Sequence, residues 1–291
     1  MSARLVSVIV TYAPDAEALT RQVSVLATLG SVVVVDNTAS TTPFPDCAPA
    51  HLLRNDRNVG IATALNQGLA EARRVGADII ALFDQDTEID ADLVRRLISP
   101  LEPGCPGVVG AVALAATDGR EYPSHRLHPI VGWRAVFAAR AVAPLAADVV
   151  ISSGSAATLA TYDRVGGYDD GLFIDGVDVD WCLRCRARGV PVRIMPSVRL
   201  RHRIGSHEIR VLGLGRTIAH GEWRTYFKLR NPWLLARRPH CPPMLALRLV
   251  TMSLLREFLV ALRRPSFQRT RAMVAGLRDG MLGRSGPWRP T

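Results

Sequence analysis

The run Ile79-Ile80-Ala81-Leu82-Phe83 is continuously apolar, and it stops at Asp84-Gln85-Asp86. A short apolar run without alternation reads as a strand buried on both faces. Two carboxylates cannot follow it into the core without a large desolvation cost. They mark the point where the strand leaves the sheet. In open α/β sheets, ligands bind outside the carboxyl ends of the strands. Paired carboxylates at such an edge are hard oxygen donors, suited to Mg²⁺ or Mn²⁺ bridging to a diphosphate. Asp-x-Asp also occurs in surface turns, so the triplet takes its meaning from what surrounds it.

The sequence before it alternates strand and helix. Strands are expected at 6–10, 31–35, 51–53 and 78–83. One helix follows Pro14-Asp15, with apolar Leu19, Val23 and Leu26; a second runs from Gly60 to Val75. This β-α-β-α-β order implies a mostly parallel sheet with right-handed crossovers, covered on both faces. Beyond Pro103 the pattern loosens. Strands are expected at 108–114, 149–152 and 198–200, and helices at 156–164 and 179–188. From Thr217 the chain reads as helical, basic and punctuated by proline. There is no internal repeat and no low-complexity linker.

A length of 291 residues allows one large domain, or one domain with an appendage. No stretch of about 18 uncharged apolar residues occurs, so no transmembrane helix is expected. The apolar run at 5–10 is too short for a signal-peptide core, and the chain is expected in the cytoplasm. The net charge is +10, Lys228 is the only lysine, and most arginines lie from Arg184 onward. Such a basic C-terminal region points to an anionic partner: nucleic acid, a lipid surface or a phosphorylated substrate. Nucleic acid is disfavoured, because acidic clusters at strand and helix ends repel a phosphate backbone and aromatic interleaving is sparse. Five cysteines without framework spacing fit a reducing compartment.

Three strands end in polar groups: Thr11-Tyr12, Asp36-Asn37 and Asp84-Gln85-Asp86. Parallel neighbours bring these to one edge. Asp36 can accept from a base N–H or a ribose hydroxyl, and it equally suits a turn. Asn58 can cap the helix that begins at Gly60. The small residues Gly60, Ala62 and Ala64 admit close approach by a ligand or by the sheet. Ala64 and Gly68 share a face. A second acidic cluster, Asp175, Asp178 and Asp180, lies in Phe173-Ile174-Asp175-Gly176-Val177-Asp178-Val179-Asp180-Trp181. Helix capping and an i,i+4 pair between Asp180 and Arg184 account for one or two of them. A carboxylate at a semi-buried helix start is also a candidate general base. His202, after a short strand, is either structural or a further donor to a carboxylate-bound ion. Cys182 and Cys185 have no second pair at zinc-site spacing and read as core. Gly213-Leu214-Gly215 lacks the context of a dinucleotide site.

Together these stretches resemble the family 2 glycosyltransferases, inverting enzymes with the GT-A fold. Val6-Ser7-Val8-Ile9-Val10-Thr11-Tyr12, Val35-Asp36-Asn37, Asn58 and Gly60 through Asn66 and Gly68, and Asp84-Gln85-Asp86 carry the first half of the likeness. Ser152-Ser153-Gly154, Gly166-Gly167-Tyr168-Asp169, the stretch from Phe173 to Arg184, His202 and Arg230-Asn231 carry the second. The likeness spans roughly residues 4 to 235. The Asp-Gln-Asp form, the Phe-Ile-Asp stretch and the late Arg-Asn look most like the bacterial rhamnosyltransferase branch.

The resemblance implies an α/β GT-A fold: a mostly parallel central sheet flanked by helices, followed by a helical basic segment. It implies a catalytic domain over 1–215, with a nucleotide-binding part at about 4–102 and an acceptor and catalytic part at about 103–215. A helical extension covers 216–291. Donor binding falls to Thr11, Tyr12, Asp36, Asn58, Gly60, Asn66, Asp84 and Gln85. Asp86, Asp84 and His202 would hold Mg²⁺ or Mn²⁺. Asp178 stands at the base position. Many relatives have Glu-Asp there and this chain has Val177-Asp178, so Asp175 or Asp180 takes the supporting role, with Trp181 and Gly154 on the acceptor side. The implied donor is dTDP-L-rhamnose, with UDP-galactofuranose, a UDP-hexose or GDP-mannose as alternatives. The implied acceptor is a cell-envelope glycan or a polyprenyl-linked one.

Residues 244–264 are strongly apolar but interrupted by Arg248 and Arg256, which fall near one face. The pattern suits an amphipathic helix in the membrane interface, at the inner face of the plasma membrane. It equally suits a helix docked on the catalytic domain or on a second subunit in a homo-oligomer.

Overall fold

The structure, a computed structural model, describes residues 3–202, 207–211, 215–219 and 221–289, with side chains at 3–201 and 221–289. Runs of β-branched and apolar residues form the first strands, β1 (Leu5–Thr11), β2 (Ser31–Asp36), β3 (His51–Arg54) and β4 (Ile79–Asp84). Between them lie α1 (Ala16–Ala27) and α2 (Ile61–Arg74). The Asp15 carboxylate caps α1 by accepting from the Ala18 N–H. After β4 come α3 (Ala91–Ile98) and β5 (Val108–Ala115), then three short strands, β6 (Glu121–Tyr122), β7 (Ser124–His128) and β8 (Gly132–Val136). The chain continues through β9 (Leu145–Ala147), β10 (Ser155–Thr158), α4 (Leu159–Val165), a 3₁₀ turn at Asp170–Leu172, α5 (Val177–Ala187) and β11 (Val192–His202). A hairpin of β12 (His207–Val211) and β13 (Gly215–Ala219) precedes α6 (Glu222–Ala236), α7 (Pro243–Arg263) and α8 (Phe267–Met281).

Among the described residues the main sheet has nine strands in the order β3-β2-β1-β4-β10-β5-β11-β9, with β6 paired to β5. The pairs β1/β2, β1/β4, β2/β3 and β5/β11 are parallel. β10 runs antiparallel between β4 and β5. The mostly parallel α/β sheet expected from the sequence is present.

Each face of the sheet has its own core. Val6, Val8, Val33 and Val35 pack with α2 and α5 on one side; Leu5, Ile9, Val32 and Val34 pack with α1 and α3 on the other. Each such side chain, fully buried, contributes roughly 1.5–3 kcal/mol. Gly68 sets how closely α2 lies on the sheet: a Cβ there would stand 2.3 Å from a Val8 methyl. Cys182 and Cys185 are buried in the first core, as expected.

Several sequence expectations are corrected. The helix expected at 156–164 begins only at Leu159. Ser155–Thr158 is instead the central antiparallel strand, where small residues fit between β4 and β5. The strand expected at 149–152 is displaced upstream to β9, leaving only a bridge at Val149. β11 is longer than expected, α3 was not anticipated, and Thr217 lies in β13 rather than in a helix. Gly213 and Leu214 lie outside the described residues. α7 docks on the first core through Leu245 and Ala246. Among the described residues no helix is long and apolar enough to cross a membrane.

Candidate active site

The parallel strands β1, β2 and β4 end side by side. Register places Thr11 opposite Asp36, and Val10 opposite Asp84. A cleft of about 770 Å³ opens at this edge. Of the residues assigned from the sequence, Thr11, Tyr12, Asn58, Gly60, Asp84, Gln85 and Asp86 line it.

Local bonds fix each of them. The Gln85 side-chain amide clamps Tyr12 at both ends, accepting from its N–H at 2.6 Å and donating to its carbonyl at 3.2 Å. The Asp84 amide donates to the Ser153 hydroxyl at 3.0 Å. The antiparallel sense of β10 makes that bond possible, because it brings the start of β10 to the end of β4. Gly154, in the turn into β10, has φ +74°, and a Cβ there would lie 2.1 Å from Leu200. It does not line the cleft and serves the turn.

Gly60, rather than Asn58, occupies the cap position of α2; Asn58 Oδ1 accepts from the Gly60 N–H at 2.9 Å. Gly60 has φ +88°, and a Cβ on it would lie 2.7 Å from the Phe173 carbonyl oxygen. Both features exclude a side chain. The first turn of α2 thus touches the loop that carries the second acidic cluster.

That loop, 171–176, is strained. Phe173 (φ 64°, ψ −63°) lies at the centre of a γ-turn of the rare hand, closed by Ile174 N–H to Leu172 carbonyl at 2.7 Å. Asp175 also has positive φ, at 64°. Such residues cost about 1–3 kcal/mol each unless their surroundings enforce them. α6 supplies the enforcement. The Asn231 side-chain amide lies within 2.6–2.9 Å of the carbonyls of Leu172, Ile174 and Asp175. Arg230, fully buried, donates to the carbonyls of Gly171, Leu172 and Gly286 and to Asn231 Oδ1. Phe227 stacks on Phe173 with centroids 4.9 Å apart. Arg224 takes both oxygens of Asp175 at 2.8 Å.

The loop delivers Asp178 to the first turn of α5. Burial pushes its carboxyl up to about 6, against the pull of hydrogen bonds from Ser152 and with a further push from Asp175. Asp84 is pushed to about 7 by burial, then by the charges of Asp86 and Asp178; Ser153 and Arg224 oppose this. The site therefore concentrates negative charge. Asp84 and Asp86 offer hard oxygen donors on the cleft. Among the described residues no group of three or more His, Cys, Asp or Glu side chains converges. Two carboxylates with the remaining positions left to water and phosphate is an ordinary Mg²⁺ arrangement, so the donor set fits a substrate-completed ion. His202 ends β11 opposite Ala115, and its side chain lies outside the described residues.

Four assigned residues are occupied elsewhere. Asp36 is fully buried, accepting from Thr11 Oγ1, from the Thr38 N–H and hydroxyl, and from Arg54. It is not presented to the cleft; it ties the ends of β1 and β2 together. Asn66 joins α2 to Tyr168 and Asp170. Asp180 is buried between Arg184, at 2.9 Å, and His240, at 2.8 Å. Trp181 packs on Tyr162 and Tyr168 and donates to the Gly166 carbonyl. These last two hold α5 in place, and Asp175 is the acid of the cluster whose charge reaches Asp178.

Trp223, Arg224, Phe227, Pro287 and Trp288 also line the cleft, and sequence reasoning assigned none of them. The available signal was the recurrence of Arg224, Phe227 and Asn231 at helical spacing, i, i+3 and i+7.

The glycosyl transferase family 2 model matches residues 16–159. The chain is 31% identical over 291 residues to the dTDP-rhamnosyl transferase RfbF of Shigella flexneri, covering 98% of both chains. Among solved structures, GalNAc-T7 with UDP, GalNAc and Mn²⁺ matches with a TM-score of 0.54 at 15% identity. That match covers 95% of this chain and 57% of that one. Residues 1–349 of S. aureus TarS in complex with UDP-GlcNAc match with a TM-score of 0.57 at 12% identity, over 96% of this chain and 81% of that one. At these identities the solved structures speak to the fold alone, which is GT-A.

Proposed function

The chain belongs to glycosyl transferase family 2 and is a glycosyltransferase, and from that premise we propose that it moves L-rhamnose from dTDP-L-rhamnose, with inversion, to a hydroxyl of a cell-envelope or lipid-linked glycan. The observation that carries the donor is the relation to RfbF, which runs the length of both chains. A metal-assisted inverting mechanism is supported by the arrangement of Asp84 and Asp86 on the cleft with Asp178 behind them.

In this reading Thr11, Tyr12, Asn58 and Gly60 border the nucleotide, and the first turn of α2 faces its phosphates with a favourable dipole. Asp84 and Asp86 would hold Mg²⁺ or Mn²⁺. Such an ion supplies neutralisation of the charge that builds on the diphosphate. Asp178 takes the proton from the acceptor hydroxyl while that oxygen bonds to the anomeric carbon. The bond from that carbon to the diphosphate oxygen breaks on the opposite face, which inverts the centre. A carboxyl held near 6 by burial is well matched to this task close to neutral pH. Arg224 keeps the Asp175 charge compensated beside it. We place the sheet-bearing part before α6, with the β12–β13 hairpin included rather than cut at 215, and take α6–α8 as the helical part that completes the site.

α7 exposes Leu247, Phe258 and Leu262 near one face, with Arg256 and Arg263 exposed farther round the helix. That face suits peripheral contact with an anionic membrane surface. A deletion-free test is co-sedimentation with anionic vesicles after Leu247, Phe258 and Leu262 are changed to Ser; unchanged binding argues for a subunit contact instead.

The decisive experiment is a thermal-shift panel of nucleotide sugars with Mg²⁺ or Mn²⁺. Selective stabilisation by dTDP-L-rhamnose is the expected result. A response to UDP sugars alone moves the donor to a UDP-hexose or UDP-galactofuranose.

A further inference from the structure

A second groove, of about 940 Å³, lies beside the cleft between α8 and the returning segment 284–289. It shares Pro287 and Trp288 with the cleft. The Trp288 ring is stacked on Tyr226 with centroids 5.1 Å apart, so it forms a fixed partition between the two spaces. Where the cleft is acidic, this groove is cationic. Arg271, Arg278, Arg284 and Arg289 line it, and Asp279 is its one acid. Asp279 is already satisfied, by the Tyr226 hydroxyl at 2.9 Å, Arg278 at 2.9 Å and Arg284 at 3.2 Å. Arg271 and Arg289 have no ion-pair partner among the described residues. The groove thus holds an excess of positive charge with nothing of its own to balance it.

The same face of α8 is also apolar. Phe267, Arg271, Val274 and Arg278 recur at i, i+4, i+7 and i+11. Phe267 is 83% exposed and Val274 63%. Guanidinium groups suit phosphate oxygens, and exposed apolar side chains beside them suit hydrocarbon. A free nucleotide would use the first property and not the second.

We propose that this groove binds the phosphate or diphosphate of an amphiphilic acceptor, whose sugar then reaches past Trp288 into the cleft. The inference rests on the glycosyl-transfer reading and adds the place where the anion of a lipid-linked acceptor is held, a groove apart from the donor cleft. It also separates two anion sites, one for the donor diphosphate at the sheet edge and one for the acceptor.

The test uses the full chain, with dTDP and Mg²⁺ present to fill the donor cleft, and citronellyl diphosphate as the probe. Calorimetry is expected to show binding, with citronellol and inorganic diphosphate each at least about tenfold weaker. The double variant Arg271→Glu/Arg289→Glu is expected to lose at least about tenfold in probe affinity while dTDP affinity stays within about twofold. If that variant does not fold, Arg271→Gln/Arg289→Gln is read in the same way. Unchanged probe affinity in the folded variant overturns the proposal. So does failure of the probe to bind once dTDP is present, or equal binding of inorganic diphosphate, which would mean an adventitious ion only. Vesicles of phosphatidylcholine and phosphatidylglycerol form a separate arm. Loss of vesicle binding with retained probe affinity assigns the arginines to lipid headgroups and overturns it as well. Absence of dTDP binding by the wild type counts against the donor reading, whereas the groove result is then read from the probe alone.

Discussion

On one side of the cleft, Thr11, Tyr12, Asp84 and Gln85 stand at the ends of neighbouring parallel strands. On the other, Phe173 and Ile174 stand on a loop between a 3₁₀ turn and α5. The first wall is positioned by backbone pairing, and its side chains are tied to residues on the adjacent strand. The second is positioned by side chains from α6, about fifty to sixty positions later in the chain, which brace its backbone in an unfavourable conformation. Precision at the sheet edge is a by-product of the core. Precision at the loop depends on a few buried polar bonds, so single substitutions should separate the two walls.

The largest effect is expected at Asp178, the proposed base, which follows directly on the loop. Asp178→Asn should lower kcat by about 10³-fold with donor affinity unchanged and a melting temperature no lower than that of the unsubstituted protein. Near-normal turnover by a folded variant would remove Asp178 as the base. On the sheet wall, Asp84→Asn and Asp86→Asn should each cost about 10²-fold in transfer rate. They should also abolish the rise in melting temperature on adding Mg²⁺ or Mn²⁺.

The walls then diverge in how they tolerate loss of support. Asn231→Ala touches nothing in the cleft, yet it takes the side-chain donor from the carbonyls of Ile174 and Asp175 and one of the donors from that of Leu172. It should cost about 1–3 kcal/mol of stability and reduce kcat about thirtyfold, seen by denaturant unfolding and steady-state kinetics. A loss of stability with kcat intact would show that the loop keeps its shape without α6.

Protonation gives a smaller and graded effect. With Asp178 held at about 6, kcat/KM should fall by about tenfold per unit below pH 6, and Asp178→Asn should flatten that limb. Stability should run the other way. Asp84 and Asp178 have folded values of about 7 and about 6, raised from 3.8, so the folded state binds protons more readily than the unfolded. Their contribution is fully present below pH 4 and lost as pH rises through 6 to 7. The metal-free protein should therefore melt at a lower temperature at pH 8 than at pH 5. The smallest effect belongs to Gln85→Ala, which removes the clamp on Tyr12. Pairing of β1 with β4 should keep that wall in register and hold the loss below about fivefold.

The same contrast explains what could be read in advance. The strands β1, β2 and β4, their order and the common edge of Thr11, Asp36 and Asp84 follow from contiguous segments and the handedness of parallel crossovers. The acidic cluster at 175–180 stands out in the sequence, but only the resemblance to the family distinguishes Asp178 from Asp175 and Asp180 within it. The roles of Arg224, Arg230 and Asn231 were not legible, since nothing local says that one residue of a helix will pair with a carboxylate, and two more with carbonyls, in a distant loop. Asp36 shows the reverse error. It sits at the right edge, but four protein donors turn it inward, and the identity of those donors is not visible in the segment around it.

β10 lies in the middle of the sheet and runs against its neighbours. During synthesis, β1, β2 and β4 can pair as soon as they emerge, while the far edge of β4 waits for β10. An open strand edge is a template for wrong partners, and Asp84 and Asp86 at its end place charge where it discourages them. Closure of the sheet still leaves the loop slack until α6 has left the ribosome. A chain stopped before that point has the sheet edge formed and the 171–176 loop without its α6 bonds, so the two walls of the cleft are completed at different stages of synthesis.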